Sequence, residues 1–124
     1  MASEIRVNTL KDASGNNSVA TSFVSNGSAK LRHASSTDGA SLFGSFNVSS
    51  LGDTATGKET INFTDSMSDN SYSVTHGNGN DHNGSIRILL TDTLTASSYQ
   101  VHAYNTSSAL SDGPTCSTVF GDLA

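Results

Sequence analysis

Two short runs, Phe46-Asn47-Val48-Ser49 and Ile61-Asn62-Phe63-Thr64, flank a turn-forming stretch, Gly52-Asp53 through Thr56-Gly57-Lys58. In both runs apolar and polar side chains alternate with period two, the spacing of a half-buried β-strand. Two such runs around a glycine-containing turn read as a β-hairpin. The same period recurs to the C-terminus. Tyr72 and Val74 alternate, and Ile86, Ile88 and Leu90 share one face with Arg87 and Leu89 on the other. Tyr99, Val101 and Ala103 alternate with Gln100, His102 and Tyr104. A last strand over Thr115 to Gly121 carries Val119, and Cys116 with it, inward. Ser111-Asp112-Gly113-Pro114 turns the chain before it. About six strands at this spacing predict an all-β, antiparallel β-sandwich, jelly-roll-like or immunoglobulin-like, with the strand order left open. No segment shows sustained helical periodicity, and Thr91 to Ser98 reads as a connection or one helical turn.

Upstream the pattern is weaker. Glu4 to Lys11 alternates, with Ile5 and Val7 on one face and Leu10 falling out of phase, which predicts a short extended β arm. Asp12 to Asn17 is a turn cluster. Val19, Thr21 and Phe23 alternate again, and Asn26-Gly27 suits a two-residue hairpin turn. Ala34 to Ala40 is small and polar and reads as a linker. The expected division is an N-terminal docking arm and linker over 1–41 and a sandwich over 42–124.

Composition limits what such a chain can do. In 124 residues only 34% are hydrophobic, and the formal net charge is −5. Roughly half the residues are Ser, Thr, Asn and Gly, far above ordinary usage. One chain can bury only a thin core, so sharing apolar faces between subunits is expected. Arg6, Lys11, Lys30 and Arg32 lie in the first third, and acids dominate from Asp38 onward. No basic stripe with interleaved aromatics exists, which argues against nucleic acid as a partner. No apolar run approaches the length of a membrane-spanning helix, and no secretory h-region follows Met1, so neither membrane insertion nor export is expected. Cys116 is the only cysteine. It has no intrachain disulfide partner and reads as a buried small side chain.

Catalytic signatures are missing. There is no Gly-x-Ser-x-Gly elbow, phosphate loop or His-Glu-x-x-His, and the acids are scattered on turns. The expectation is a protein that is not an enzyme and holds neither metal nor cofactor. The loop from His76 to Gly84 gathers His76, Asn78, Asn80, Asp81 and His82. One copy of such a glycine-rich segment does not make a calcium site, because those are built by stacking repeats. Amide and imidazole groups on a loop held by a sheet suit contact with sugars or polar proteins. His33 and His102 are isolated in sequence, and alternation places His102 on a solvated face.

The order of several segments adds a resemblance. Phe46-Asn47-Val48-Ser49-Ser50, Asp53 to Gly57, Ile61-Asn62-Phe63-Thr64, Asn70-Ser71-Tyr72-Ser73-Val74, Tyr104-Asn105-Thr106-Ser107 and Val119-Phe120-Gly121-Asp122 follow one another as in a module of tail-fibre-like structural proteins from phages of marine bacteria. The opening, Ser3 to Lys11 with Asn16-Asn17-Ser18 and Ser25 to Lys30, resembles the start of such proteins. The chain departs from them after Lys30, where Leu31 to Ser41 is polar. The resemblance implies a non-enzymatic virion component, a homotrimer assembled in the bacterial host cytoplasm. Its partners would be other virion proteins of tail or capsid, and a host cell-surface glycan or protein. Ile5, Val7 and Leu10 would dock the particle by strand addition or packing; the competing reading is that this strand completes the body's own sheet. Alternatives are a capsid decoration, knob or head-fibre protein, which the small size favours, a free carbohydrate-binding module, and a small hydrolase. The carbohydrate module needs an exposed aromatic platform, yet the chain has no Trp and alternation commits Tyr72, Tyr99 and Tyr104 to strands.

Overall fold

The computed structural model describes residues 6–15, 17–36, 41–78 and 86–124. Two four-stranded antiparallel sheets form a β-sandwich, as the alternation predicts. Ahead of it stand β1 (Thr9–Lys11), β2 (Ser18–Ala20) and the helix α1 (Thr21–Gly27). The sandwich strands are β3 (Leu31–Ser35), β4 (Leu42–Phe46), β5 (Val48–Ala55), β6 (Lys58–Phe63), β7 (Ser73–Asn78), β8 (Ile88–Thr95), β9 (Ser98–Tyr104) and β10 (Thr115–Phe120). One sheet has the order β4-β3-β10-β7 and the other β5-β6-β9-β8. The second sheet, with β7 and β10 opposite it, follows the immunoglobulin-like pairing order for six successive strands, and β3 takes the remaining place beside β10.

Three differences from the sequence reading follow from local chemistry. Leu31–Ser35 belongs to the sandwich and pairs with both β4 and β10, although it fell within the 1–41 segment and its end, Ala34 and Ser35, within the linker. Its inward side chains are Leu31, His33 and Ser35, so its alternation is of buried against exposed rather than apolar against polar. The run around Phe46 to Val48 is two strands in different sheets. Asn47 joins them at φ 59°, a backbone that asparagine tolerates. Its amide clamps Asp65 from both sides: Oδ1 accepts from the Asp65 N–H at 2.6 Å and Nδ2 donates to the Asp65 carbonyl at 3.0 Å. Thr91–Thr95 continues β8 rather than forming a helical turn, and Thr93 at φ 47° lies in the bulge between Asp92 and Thr95.

The apolar core occupies one end of the sandwich. Leu31, Ile61, Phe63, Met67, Tyr72, Tyr99, Val101 and Val119 are buried together. Phe63, Tyr72 and Tyr99 form an aromatic triangle with centroids 5.7–6.5 Å apart. Edge and tilted geometries of this kind add to the area they bury. The β8 stripe faces opposite to the direction a core would take: Leu89 packs on the core, while Ile86, Ile88 and Leu90 are more than half exposed. Cys116 likewise faces outward, because Thr115, Ser117 and Val119 hold the inner positions of β10.

The N-terminal segment is a different kind of object. β1 pairs only with β2, in a two-stranded sheet of three residue pairs. The α1 helix replaces the expected hairpin turn at Asn26-Gly27. It has seven residues, no side-chain N-cap bond and no charge complementing either end. The Lys30 ammonium ties its end to the sandwich, donating to the Ser25 carbonyl and to Ser28 Oγ, while the Lys30 N–H bonds the Val119 carbonyl at 2.8 Å.

Candidate functional site

The inner face of the first sheet changes character along its length. Val119 stands between Leu31 and Val74 at one end, Ser117 between His33 and His76 in the middle, and Thr115 beside Asn78 at the other end. Opposite this polar half, β6 contributes Glu59 and β9 contributes Tyr99. His33, Ser35, Glu59, Thr115, Ser117 and Tyr99 are each at most 5% exposed.

These six side chains form one hydrogen-bonded chain between the sheets. The Thr115 hydroxyl donates to Glu59 Oε2 at 2.7 Å, and the Ser35 hydroxyl donates to the same oxygen at 3.0 Å. Thr115 Oγ1, having given its proton to Glu59, accepts from His33 Nε2 at 3.0 Å. A ring carrying its one proton on Nε2 accepts the Ser117 hydroxyl at Nδ1, 2.6 Å away. The Ser117 oxygen then accepts from Tyr99. Burial pushes the Tyr99 hydroxyl well above the ordinary phenol range, with neighbouring Glu59 adding to it, which keeps this donor protonated. Glu59 Oε1 has no hydrogen-bond partner among the described residues.

A glutamate, a histidine and hydroxyls in one chain are the elements of acyl-transfer machinery. Here the arrangement spans the interior, with no hydroxyl presented to solvent for attack on a substrate. Its physical effect is to tie β3 and β10 to β6 and β9, holding the two sheets in one register. Among the described residues no group of three or more His, Cys, Asp or Glu could hold a metal ion.

The residues singled out from sequence divide by environment. His76 is in strand β7 rather than on a loop tip. Its Nε2 bonds Thr91 Oγ1 at 2.6 Å and its ring lies 6.3 Å from Tyr99, so it serves the interior. Burial, reinforced by nearby His33, pushes its pKa below the ordinary histidine value. Asn78 ends β7 and is exposed. Asn80, Asp81 and His82 lie outside the described residues, as does Ile5. His102 is largely covered on the outer face of the second sheet, with Gln100 at 3.1 Å and Asp92 at 3.4 Å. Val7 and Leu10 are 45% and 46% exposed, and β1 does not join either sandwich sheet.

Sequence reasoning missed His33 and Glu59 as partners. They are 26 residues apart in the chain, and only the facing of β3 against β6 brings them within 3.8 Å. It also missed Phe43 and Phe46, which stand exposed on β4 beside Arg32. No protein-family model, no curated protein and no solved structure matches the chain. No helix among the described residues is long and apolar enough to cross a membrane.

Proposed function

We propose that this chain is a non-enzymatic structural protein of a bacteriophage particle, a short tail fibre or tail-associated receptor-contact protein held by its N-terminal arm. One observation carries the reading. The arm displays Val7, Leu10, Val19, Phe23 and Val24 at 39–75% exposure, and none of its strand or helix residues is buried. A two-stranded sheet and a seven-residue helix are each marginal alone in water. Apolar groups on such elements gain their burial from another molecule. The resemblance in sequence order supplies the phage context, and virion proteins are the corresponding partners.

Self-association belongs to the same proposal. Ile88 and Leu90 stand on the free edge strand of the second sheet, with Ile86 just ahead of it, and a homotrimer would cover them. Native mass spectrometry tests this: the wild type is expected as a trimer, and Ile88→Glu as a monomer. A monomeric wild type removes the trimer.

Small size favours a second position on the particle, as a capsid decoration protein using the same arm. Immunogold labelling of purified virions with an antibody against the sandwich separates the two. Label at the tail supports the adsorption role, label over the head makes this a decoration protein, and no label defeats both. Deleting residues 1–14 is expected to abolish incorporation; incorporation that survives the deletion defeats docking through the arm.

A further inference from the structure

The outer face of the first sheet holds a depression of about 410 Å³, and its floor has an unusual origin. The cross-strand register aligns Gly44, Ala34, Cys116 and Gly77 into one row over all four strands. The next row is Phe46, Arg32, Thr118 and Thr75. At ordinary strand spacing such a row is about 14 Å long. Phe43, 61% exposed, lines the depression together with Arg32.

Gly44 is the informative residue. Glycine in mid-strand weakens a sheet and usually marks a bulge, a special backbone angle or the close approach of something outside. Gly44 lacks the special angle, since only Gly15 and Gly57 have positive φ among the described glycines. Nor does internal packing demand it: a Cβ there would meet only Arg32 Nη2, at 4.0 Å. The β3–β4 pairing shifts immediately beside it: Ala34 faces Gly44, Ser35 faces Leu42, and Phe43 is the extra residue. What the missing side chain does is leave open floor directly beneath a guanidinium. Arg32 is exposed, and among the described residues no carboxylate pairs with it. The local cation over an apolar floor complements an anion, against the chain's overall charge of −5. The planar fork suits a carboxylate, the threonine hydroxyls suit neighbouring hydroxyl groups, and the phenyl ring suits the apolar face of a sugar.

We propose that this trough binds a carboxylate-bearing saccharide, with Arg32 on the carboxylate and Phe43 against the ring. The inference rests on the receptor-contact reading and moves the contact surface from the His76–Gly84 loop to the sheet face. Isothermal titration of the full chain against short oligomers of mannuronate, galacturonate and sialic acid tests it, each beside a neutral oligomer of equal length. At least one acidic oligomer is expected to bind, with its neutral counterpart at least tenfold weaker. Arg32→Gln should lower that affinity at least tenfold. Gly44→Val should abolish binding without lowering the melting temperature, because the added side chain fills open space. Gly52→Val, at a comparably open glycine on the outer face of the other sheet, should leave binding intact. Equal affinity for the neutral oligomers, binding that survives Gly44→Val, or no binding to any acidic oligomer overturns the proposal. So does an oligomeric wild type that Gly44→Val renders monomeric, which would assign the trough to a second copy. Virion labelling is read separately, so a chain that localises to the particle but binds no acidic oligomer loses this inference alone.

Discussion

Replacing Thr115 by valine tests whether the buried polar chain holds the sheets together. Valine keeps the volume, the β-branch and the strand preference, so the change isolates the hydroxyl. Thr115 donates to Glu59 at 2.7 Å and accepts from His33 at 3.0 Å. Stranding a buried polar partner costs roughly 1–3 kcal/mol. Glu59 Oε2 keeps Ser35 as a donor and falls at the low end. His33 Nε2 falls in the middle, because its next acceptor, Glu59 Oε2, is 3.8 Å away. Against these, a methyl in place of the hydroxyl returns about 0.8 kcal/mol of apolar burial. The balance is about 2–3 kcal/mol of lost stability. For a body of this size that lowers the melting temperature by roughly 10–20 °C. Urea denaturation should show the loss as a shifted midpoint at unchanged slope. The same substitution in a Glu59→Leu background should cost at least about 1 kcal/mol less, because the acceptor has gone. A loss under about 0.5 kcal/mol, or strict additivity of the two changes, refutes the network as a unit.

Gly57 has φ +67°, and a Cβ there would lie 2.6 Å from both the Ala103 carbonyl and the Ser111 nitrogen, so Gly57→Ala should cost about 3 kcal/mol or more in thermal denaturation. Gly15→Ala, at φ +71° with nothing within 4 Å, should cost only about 1 kcal/mol. Burial pushes Tyr72 up to about 12, so the unfolded chain loses its phenol proton first and stability should fall as pH rises from 10 toward 12. That loss amounts to ~2 kcal/mol, Tyr99 adds to it in the same direction, and Tyr72→Phe should flatten the slope in alkaline urea titrations. His76 has a depressed pKa, so the unfolded chain takes up its proton first and stability should drop as pH falls below about 6.5. His76→Gln should remove that acid slope. Deleting residues 1–20 should change the sandwich's urea stability by less than about 0.5 kcal/mol, since β1 and β2 bury no side chain.

Period-two alternation made β6 and β9 legible because, Glu59 apart, their inward residues are apolar: Ile61 and Phe63, Tyr99, Val101 and Ala103. The β5–β6 hairpin followed from the turn between them. Where the inward residues are polar the same period carries no signal. This is why β3, facing inward with His33 and Ser35, read as part of the 1–41 segment outside the sandwich, and why Cys116 read as buried while Thr115 and Ser117 held the interior. On β8 the period is legible but the face is not, since three large aliphatics lie outside and Leu89 lies inside. Sheet switching at Asn47 depends on a clamp with Asp65, eighteen residues away, and leaves no mark in local hydrophobicity. Among the described residues the opening strand pairs with β2 and with neither sheet of the body, which only the strand pairing itself could reveal.

The distribution of apolar side chains links these observations. Among the described residues nine hydrophobic side chains are buried, whereas thirteen large ones are at least 37% exposed. Single exposed apolar residues need no explanation. Here they are grouped: on the arm, along the β8 edge, and on β4 beside the trough. Meanwhile the interior, where each would stabilise the fold, is filled at one end by hydroxyls, an imidazole and a carboxyl. Hydrogen bonds between β3, β10, β6 and β9 fix the sheets with few apolar groups, leaving phenylalanine and isoleucine on the outside. Under the proposed assembly, a chain only 34% hydrophobic that places its large residues this way would gain further burial through contact with other molecules. Stability of the isolated chain and stability of its assembly should therefore differ widely. Ile88→Glu puts that inference at risk: it should barely change the unfolding of the monomer, yet it should strip away the concentration-dependent part of the melting temperature.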